Sequence, residues 1–234
     1  IPYHDHSAVI VTTQFIRDIK PDYVVLDGDI IDAKPLSRFA KGKFGNFTMK
    51  QETEQTRDYL EVLRGATPAS EIIYVPGNHE FRIDSYVRNN APELAEMGIF
   101  TLPELLQFDK FGITLYDTGF KESYIRFDDF YIGHWHKVNK HAGFTAKNLL
   151  MDISVDFIQA HVHRAAVHHK RFLNHEKVGI ENGCLCQLNP HFQMHTDWQH
   201  AFSIIHKIGK KYYPQLIKIT DGEFVYDGHI WNAK

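Results

Sequence analysis

The sequence predicts an α/β protein, and three observations predict it. Two short apolar runs, Asp22–Leu26 and Glu71–Val75, are rich in β-branched residues, and each breaks into a glycine-bearing polar loop. Runs of that kind are strands covered on both faces in a parallel sheet. Segments of helical period lie around them in the order α-β-α-β-α. From about residue 123 the pattern changes to a succession of short strands with one helix among them.

Ser7 is placed to cap a helix through about Lys20, with Ala8, Thr12, Phe15, Ile16 and Ile19 on one side and Pro21 as its stop. The strand Asp22–Leu26 runs into Asp27-Gly28-Asp29-Ile30-Ile31-Asp32, where Gly28 permits a sharp turn. Residues 33–50 form a basic loop. In it Lys34, Arg38, Lys41, Lys43 and Lys50 alternate with Phe39, Phe44 and Phe47. Such interleaving grips phosphates and bases in some proteins; a solvated loop anchored by its aromatics is the preferred reading. A helix over Gln51–Arg64 ends at Gly65. The strand Glu71–Val75 opens, through Pro76, into Gly77-Asn78-His79-Glu80. Helical sequence then resumes from Asp84 to Met97, interrupted at Pro92.

In the second half, Ser123–Phe127 and Phe130–Gly133 flank Asp128-Asp129 as a hairpin that ends in Gly133-His134-Trp135-His136. A helix over Thr145–Asp152 precedes a strand over Val155–Ala160, which ends in His161-Val162-His163-Arg164. Short strands are then expected near 165–172, 178–181, 185–188, 201–208, 212–219 and 223–226. Gly209-Lys210 and Asp221-Gly222 serve as turns.

Composition narrows the function class. With 234 residues, the chain suits one domain spanning 1–234. A net charge of −3 gives no global attraction to nucleic acid or anionic membrane. No apolar run reaches the ~20 residues of a membrane span, so a cytoplasmic protein without a membrane partner is expected. Cys184 and Cys186 by themselves are too few for a disulfide framework or a zinc site. Their spacing puts both on one strand face, where packing in a reducing compartment is the expected role.

The chemistry gathers at strand ends, where ligands of α/β sheets bind. Asp29, Asn78, His79, His134, His161 and His163 all stand there, and all offer oxygen or imidazole nitrogen. If the backbone stays extended, His161 and His163 leave their strand on the same side. A mixed N/O set suits Mn²⁺, Fe or Zn²⁺ better than Mg²⁺ or Ca²⁺ alone. Ligands from several strand ends fit two ions ~3.5 Å apart, as in two-metal hydrolases. Asp29, Asn78, His134, His161 and His163 are accordingly expected to converge on one cavity. Arg82 and Arg88 come next on a helix as phosphate-clamp candidates or as surface residues. The run His168-His169-Lys170-Arg171 reads as solvated charge on a strand.

The order Gly28-Asp29-x-x-Asp32, Gly77-Asn78-His79-Glu80, Gly133-His134 and Ala160-His161-x-His163 resembles the calcineurin-like metallophosphoesterases. Their pattern is D-x-H, GDxxD, GNHE, an isolated His, then GHxH. The resemblance implies a four-layer α/β/β/α sandwich of two mixed sheets and hydrolysis of phosphoesters by a metal-bridging hydroxide. It implies two divalent ions, Mn²⁺ first with Fe or Zn²⁺ as alternatives. Asp29 would bridge them, Asn78, His134 and His161 would complete one, and His163 would serve the other. His79 would stand beside the phosphate as the catalytic group.

Two departures stand out. Ala160 replaces the glycine of GHxH. The opening D-x-H is absent, since Asp5 is followed at that spacing by Ser7. Residues 1–5 resemble the segment directly after that motif in small bacterial and phage-type relatives. The strand carrying it is therefore expected ahead of Ile1, and the site served by His163 is expected to bind metal weakly. A phosphodiester, nucleic acid included, is the first expectation for the substrate, and a phosphomonoester of a protein or nucleotide is the alternative. A binding module that has lost one metal site is the non-enzymatic alternative.

Overall fold

The computed structural model describes residues 1–38, 47–118, 123–190 and 195–233. The chain carries α1 (His6–Ile19), β1 (Tyr23–Asp27), α2 (Met49–Ala66), β2 (Glu71–Val75), α3 (Phe81–Asn90), α4 (Pro92–Glu96), α5 (Leu102–Leu106), α6 (Phe108–Phe111) and β3 (Ile113–Leu115). After these come β4 (Ser123–Phe127), β5 (Phe130–His134), α7 (Phe144–Ile153), β6 (Asp156–Gln159), β7 (Ala165–Arg171), β8 (Glu176–Asn182), β9 (Ala201–Ile208), β10 (Lys211–Lys218), β11 (Glu223–Tyr226) and β12 (His229–Asn232). This is the mixed α/β architecture that the sequence predicts. Contacts divide it into two compact units, Ile1–Tyr3 with Ile16–Ser123, and His4–Phe15 with Tyr124–Lys234.

In the first unit, β1, β2 and β3 form a parallel sheet in that order. The apolar runs explain the pairing. Ile72, Ile73, Tyr74 and Val75 of β2 are all buried, as a strand covered on both faces requires. Ile72 and Tyr74 join Val24, Leu26, Leu60, Leu63, Leu106 and Phe108 in one core. Ile31 and Ala33, both fully buried, pin the loop after β1 into that core. α2 starts earlier than expected because Thr48 and Gln51 form a reciprocal capping box. It also runs past Gly65. The Arg64 guanidinium donates to the carbonyls of Thr67, Ser70, Phe111 and Gly112, which anchors the helix end without a glycine cap. α5, α6 and β3 went unassigned in the sequence, although Thr101 and Glu104 form a second capping box.

In the second unit the five-stranded sheet has the order β4-β5-β6-β8-β7. It is mixed: β5, β6 and β8 run parallel, and β7 pairs antiparallel with β8. α7 packs Ala146, Leu149 and Leu150 against Phe157 and Trp135. That approach needs Gly179, since a Cβ there would stand 2.6 Å from the Phe157 ring and 3.2 Å from the Ala146 carbonyl. The antiparallel pairs β9–β10 and β11–β12 complete the strands. A second core joins Ala8, Val11 and Phe15 of α1 to Ile219 and Phe224.

Two expectations change here. The cap of α1 is Asp5, whose Oδ1 accepts from Ala8 N at 2.9 Å, so the helix begins one residue before Ser7. Residues 185–188 are no strand. Cys184 and Cys186 make isolated bridges with His200 and His4. The loop residues Phe39, Lys41, Lys43 and Phe44 lie outside the described residues. Of the same stretch, Phe47 meets Tyr3 edge-on at 5.9 Å, an aromatic anchor, and Lys50 pairs with Glu54 at the surface. Among the described residues, no helix is long and apolar enough to cross a membrane.

Candidate functional site

In the first unit the site is built around Glu80. This residue is 3% exposed, and its carboxylate accepts five hydrogen bonds. Gly77 N donates at 2.8 Å and the Tyr74 hydroxyl at 2.6 Å. The other three donors are the backbone N–H groups of Asp29, Ile30 and Ile31, at 2.9, 2.8 and 3.3 Å. The GNHE turn therefore grips the loop after β1. Burial and the neighbouring Glu80 charge push the Tyr74 hydroxyl well above its usual pKa, so it stays a donor. Asp29 sits in the left-handed region at φ 55°, a strained conformation for a side-chain-bearing residue. The Glu80 bonds hold it there. Its Oδ1 accepts from His79 N at 3.0 Å, which ties the two predicted residues directly. Asn78 lies between Gly77 and His79 in the same turn.

His79 is oriented by Asp32, the last residue of the Gly28-Asp29-x-x-Asp32 motif. Its Nδ1 lies 2.8 Å from Asp32 Oδ1, and its Nε2 is 3.9 Å from Asp29 Oδ2. Arg82, a candidate phosphate clamp, instead donates to the Asp32 carbonyl at 2.6 Å and to its Oδ1 at 3.0 Å. Arg88 pairs with Asp84 at the surface. Burial works to raise the Asp32 carboxyl. The hydrogen bond and charge of His79, together with Arg82, outweigh it and lower the pKa below the ordinary value.

In the second unit, His134 closes β5 and His161 lies just past β6. His134 Nε2 stands 3.2 Å from His161 Nδ1, and the His134 ring is fully buried. His136, quoted in the sequence but left out of the predicted ligands, places its ring 5.3 Å from that of His161. His161 and His163 do not continue an extended strand. Both are left-handed, at φ 74° and 59°, so the same-side condition fails. His163 packs edge-on against Trp198 at 4.3 Å, and its Nδ1 is 3.9 Å from Cys186 Sγ. The cysteines assigned to packing are thus neighbours of a predicted ligand. Both thiols are free of disulfide. A hydrogen bond from Cys184 draws the Cys186 thiol down, and the same bond, with burial, pushes Cys184 up. In the His168–Arg171 run on β7, side chains alternate in exposure, and His169 pairs with Glu176 at 3.3 Å.

The donors fit divalent metal. Of the two facing nitrogens of His134 and His161, at most one can carry a proton between them, and a shared cation satisfies both lone pairs. Asp5, which stands where the D-x-H spacing fails, caps α1 through its Oδ1.

Comparison with known proteins agrees with these motifs. The family model described as calcineurin-like phosphoesterase matches residues 3–192. The Gene 54 proteins of Mycobacterium phages D29 and L5 are each 30% identical over 248 aligned residues, covering all of this chain and 95% of each relative. Among solved structures, Vps29 from Chaetomium thermophilum aligns with a TM-score of 0.43 at 9% identity, over 94% of this chain and 88% of that one. A single mutant of Vps29 from Entamoeba histolytica aligns with a TM-score of 0.36 at 13% identity, over 89% and 94%.

Proposed function

Because the chain belongs to the calcineurin-like phosphoesterase family, we propose that it hydrolyses phosphoesters with two divalent ions, Mn²⁺ foremost. Asp29, Asn78, His134, His161 and His163 are the proposed ligands. When bound, the ions supply charge neutralisation at the phosphoryl oxygens and acidify the attacking water. The rest is done by side chains of this chain. Glu80 fixes the loop that presents Asp29. Asp32 accepts from Nδ1 of His79 and favours its imidazolium form, whose Nε2 proton would go to the departing ester oxygen. Arg82 keeps Asp32 ionised and in place.

The observation that carries the catalytic reading is the Asp32–His79 contact. A carboxylate that orients an imidazole serves proton transfer, which a binding module does not need. The test is turnover of bis-p-nitrophenyl phosphate and p-nitrophenyl phosphate with Mn²⁺. It uses the 234-residue chain by itself and with a strand bearing Asp-x-His added ahead of Ile1. Turnover that needs Mn²⁺ and is lost in Asp29→Asn supports the proposal, and the preferred ester assigns a diester or monoester substrate. Tight metal binding with no turnover of either ester in both chains would instead support the binding module.

A further inference from the structure

The second unit contains a set of side chains that the hydrolase reading does not use as a set. His163, Cys184 and Cys186 bring one nitrogen and two sulfurs within 4.8 Å of one another. In a tetrahedral zinc site, bonds of about 2.3 Å to sulfur and 2.0–2.1 Å to nitrogen put neighbouring donors ~3.3–3.8 Å apart. The 3.9 Å between His163 Nδ1 and Cys186 Sγ is close to that edge. The 4.8 Å bound leaves at most ~1.5 Å of contraction, within the reach of side-chain rotations.

The three donors hang on one backbone frame. Gly183, left-handed at φ 68°, admits no side chain: a Cβ would meet Ala201 Cβ at 2.7 Å and Gln199 O at 2.8 Å. Cys184 N donates to Gln199 O at 3.0 Å, Ala201 N to Cys184 O at 3.3 Å, and Gln199 N to His163 O at 3.0 Å. Asp5 N donates to Leu185 O at 2.8 Å, and His200 Nε2 lies 2.8 Å from Cys186 O. The backbone around each sulfur is therefore fixed, and Trp198 fixes the imidazole.

A packing role describes these thiols poorly. A core cysteine behaves as a small hydrophobe among apolar neighbours. Here both residues are only partly buried. Cys184 Sγ meets the Gln199 carbonyl at 3.7 Å, and Cys186 meets an imidazole nitrogen. Two sulfurs and one imidazole select soft or borderline ions, whereas Mn²⁺ prefers oxygen-rich sites.

We propose that His163, Cys184 and Cys186 form a three-ligand site for a thiophilic divalent ion, Zn²⁺ foremost, with a fourth position open to water or a ligand oxygen. Binding releases the thiol protons still held, so occupancy rises with pH. The proposal does not rest on hydrolysis. It makes the ion at His163 different in kind from one held by Asp29, Asn78, His134 and His161.

Co²⁺ is the probe. The reduced chain is titrated with Co²⁺ in the absence of substrate, and the sulfur-to-cobalt charge-transfer band is followed in the near ultraviolet. The expected result is a band that saturates at one ion per chain and is abolished by Zn²⁺. It weakens by about half in Cys184→Ser and in Cys186→Ser, and is absent from the double variant. Zn²⁺ should also protect both thiols from a thiol-specific reagent, and His163→Gln should remove that protection. Circular dichroism of the double variant checks its fold, and His163→Gln, which keeps both sulfurs, tests the site independently. A chain that binds Co²⁺ with d–d absorption alone would overturn the thiolate site while leaving the hydrolase reading intact. Unchanged thiol protection in His163→Gln would overturn the role of His163.

Discussion

The two units hold their functional side chains by opposite means. In the first, carboxylates do the positioning: Glu80 gathers four backbone N–H groups and a hydroxyl, and Asp32 gathers His79 and Arg82. In the second, His134 lies against His161 and His163 against Cys186, each histidine on or next to a strand end. A buried carboxylate carries charge-assisted hydrogen bonds, which are strong and directional. An imidazole pair or an imidazole–thiol pair shares at most one proton across its contact and holds more weakly. The first unit is therefore preorganised by its own hydrogen bonds, while the close contacts of the second join imidazole to imidazole and imidazole to thiol.

The sharpest way to probe the first arrangement is to remove the imidazole that it orients. His79→Asn should lower kcat by about 10²–10⁴-fold on an alkyl phosphoester and less on a nitrophenyl ester, whose leaving group needs no proton. Metal content should stay unchanged. Rates on both esters beside metal analysis decide the matter, and equal losses on the two would point to electrostatic stabilisation.

A second measurement compares one buried carboxylate from each unit. Glu181 is fully buried and accepts from Gly143 N and Ala146 N, both at 2.9 Å, at the start of α7. Glu80 accepts five bonds. Glu80→Gln should cost about 3 kcal/mol in urea unfolding and Glu181→Gln about 1–2 kcal/mol. The reverse order would break the contrast between the units.

Asp32→Asn should lower kcat by about tenfold, because it loosens the imidazole without removing it. It also has a pH signature. The folded carboxyl titrates below its usual value, so its stabilising contribution is present above the unfolded pKa and is lost as pH falls through the folded one. The Asn variant should therefore show a shallower loss of stability on the acid side, as read from urea midpoints.

Glu52 is a buried carboxylate of the first unit that breaks its pattern. Its Oε2 accepts from Lys34 N at 3.3 Å, and among the described residues Oε1 has no hydrogen-bond partner. Burial, aided by the Asp32 charge, pushes its pKa from 4.5 up to about 7. The contribution of a group raised in the fold is fully present below 4.5 and is lost as pH rises through about 7. Glu52→Gln should match the native chain at about pH 4 and exceed it at about pH 8, as measured by urea midpoints on either side of that window.

The sequence by itself determined which segments become helix or strand wherever the period was long or the strand continuous. Thus β1, β2, α7, β9 and β11 fall within two residues of their expected bounds. It also determined the positions of Asp29, Asn78, His79, His134, His161 and His163 at or just past strand ends, because the motifs are contiguous and local. His136 was legible too, as the second histidine of an i, i+2 pair. Tertiary structure alone decided the rest. Glu80 reaches across fifty residues to the loop after β1, and Cys186 meets His163 from a segment 23 residues on. The left-handed backbone at His161 and His163 cancels the strand periodicity that would have aligned them. Residues 185–188 have strand-like sequence yet gain only isolated bridges. Periodicity encodes what a residue does to its near neighbours along the chain. Which distant carboxylate, sulfur or imidazole it meets depends on how the cores close, and no local pattern carries that information.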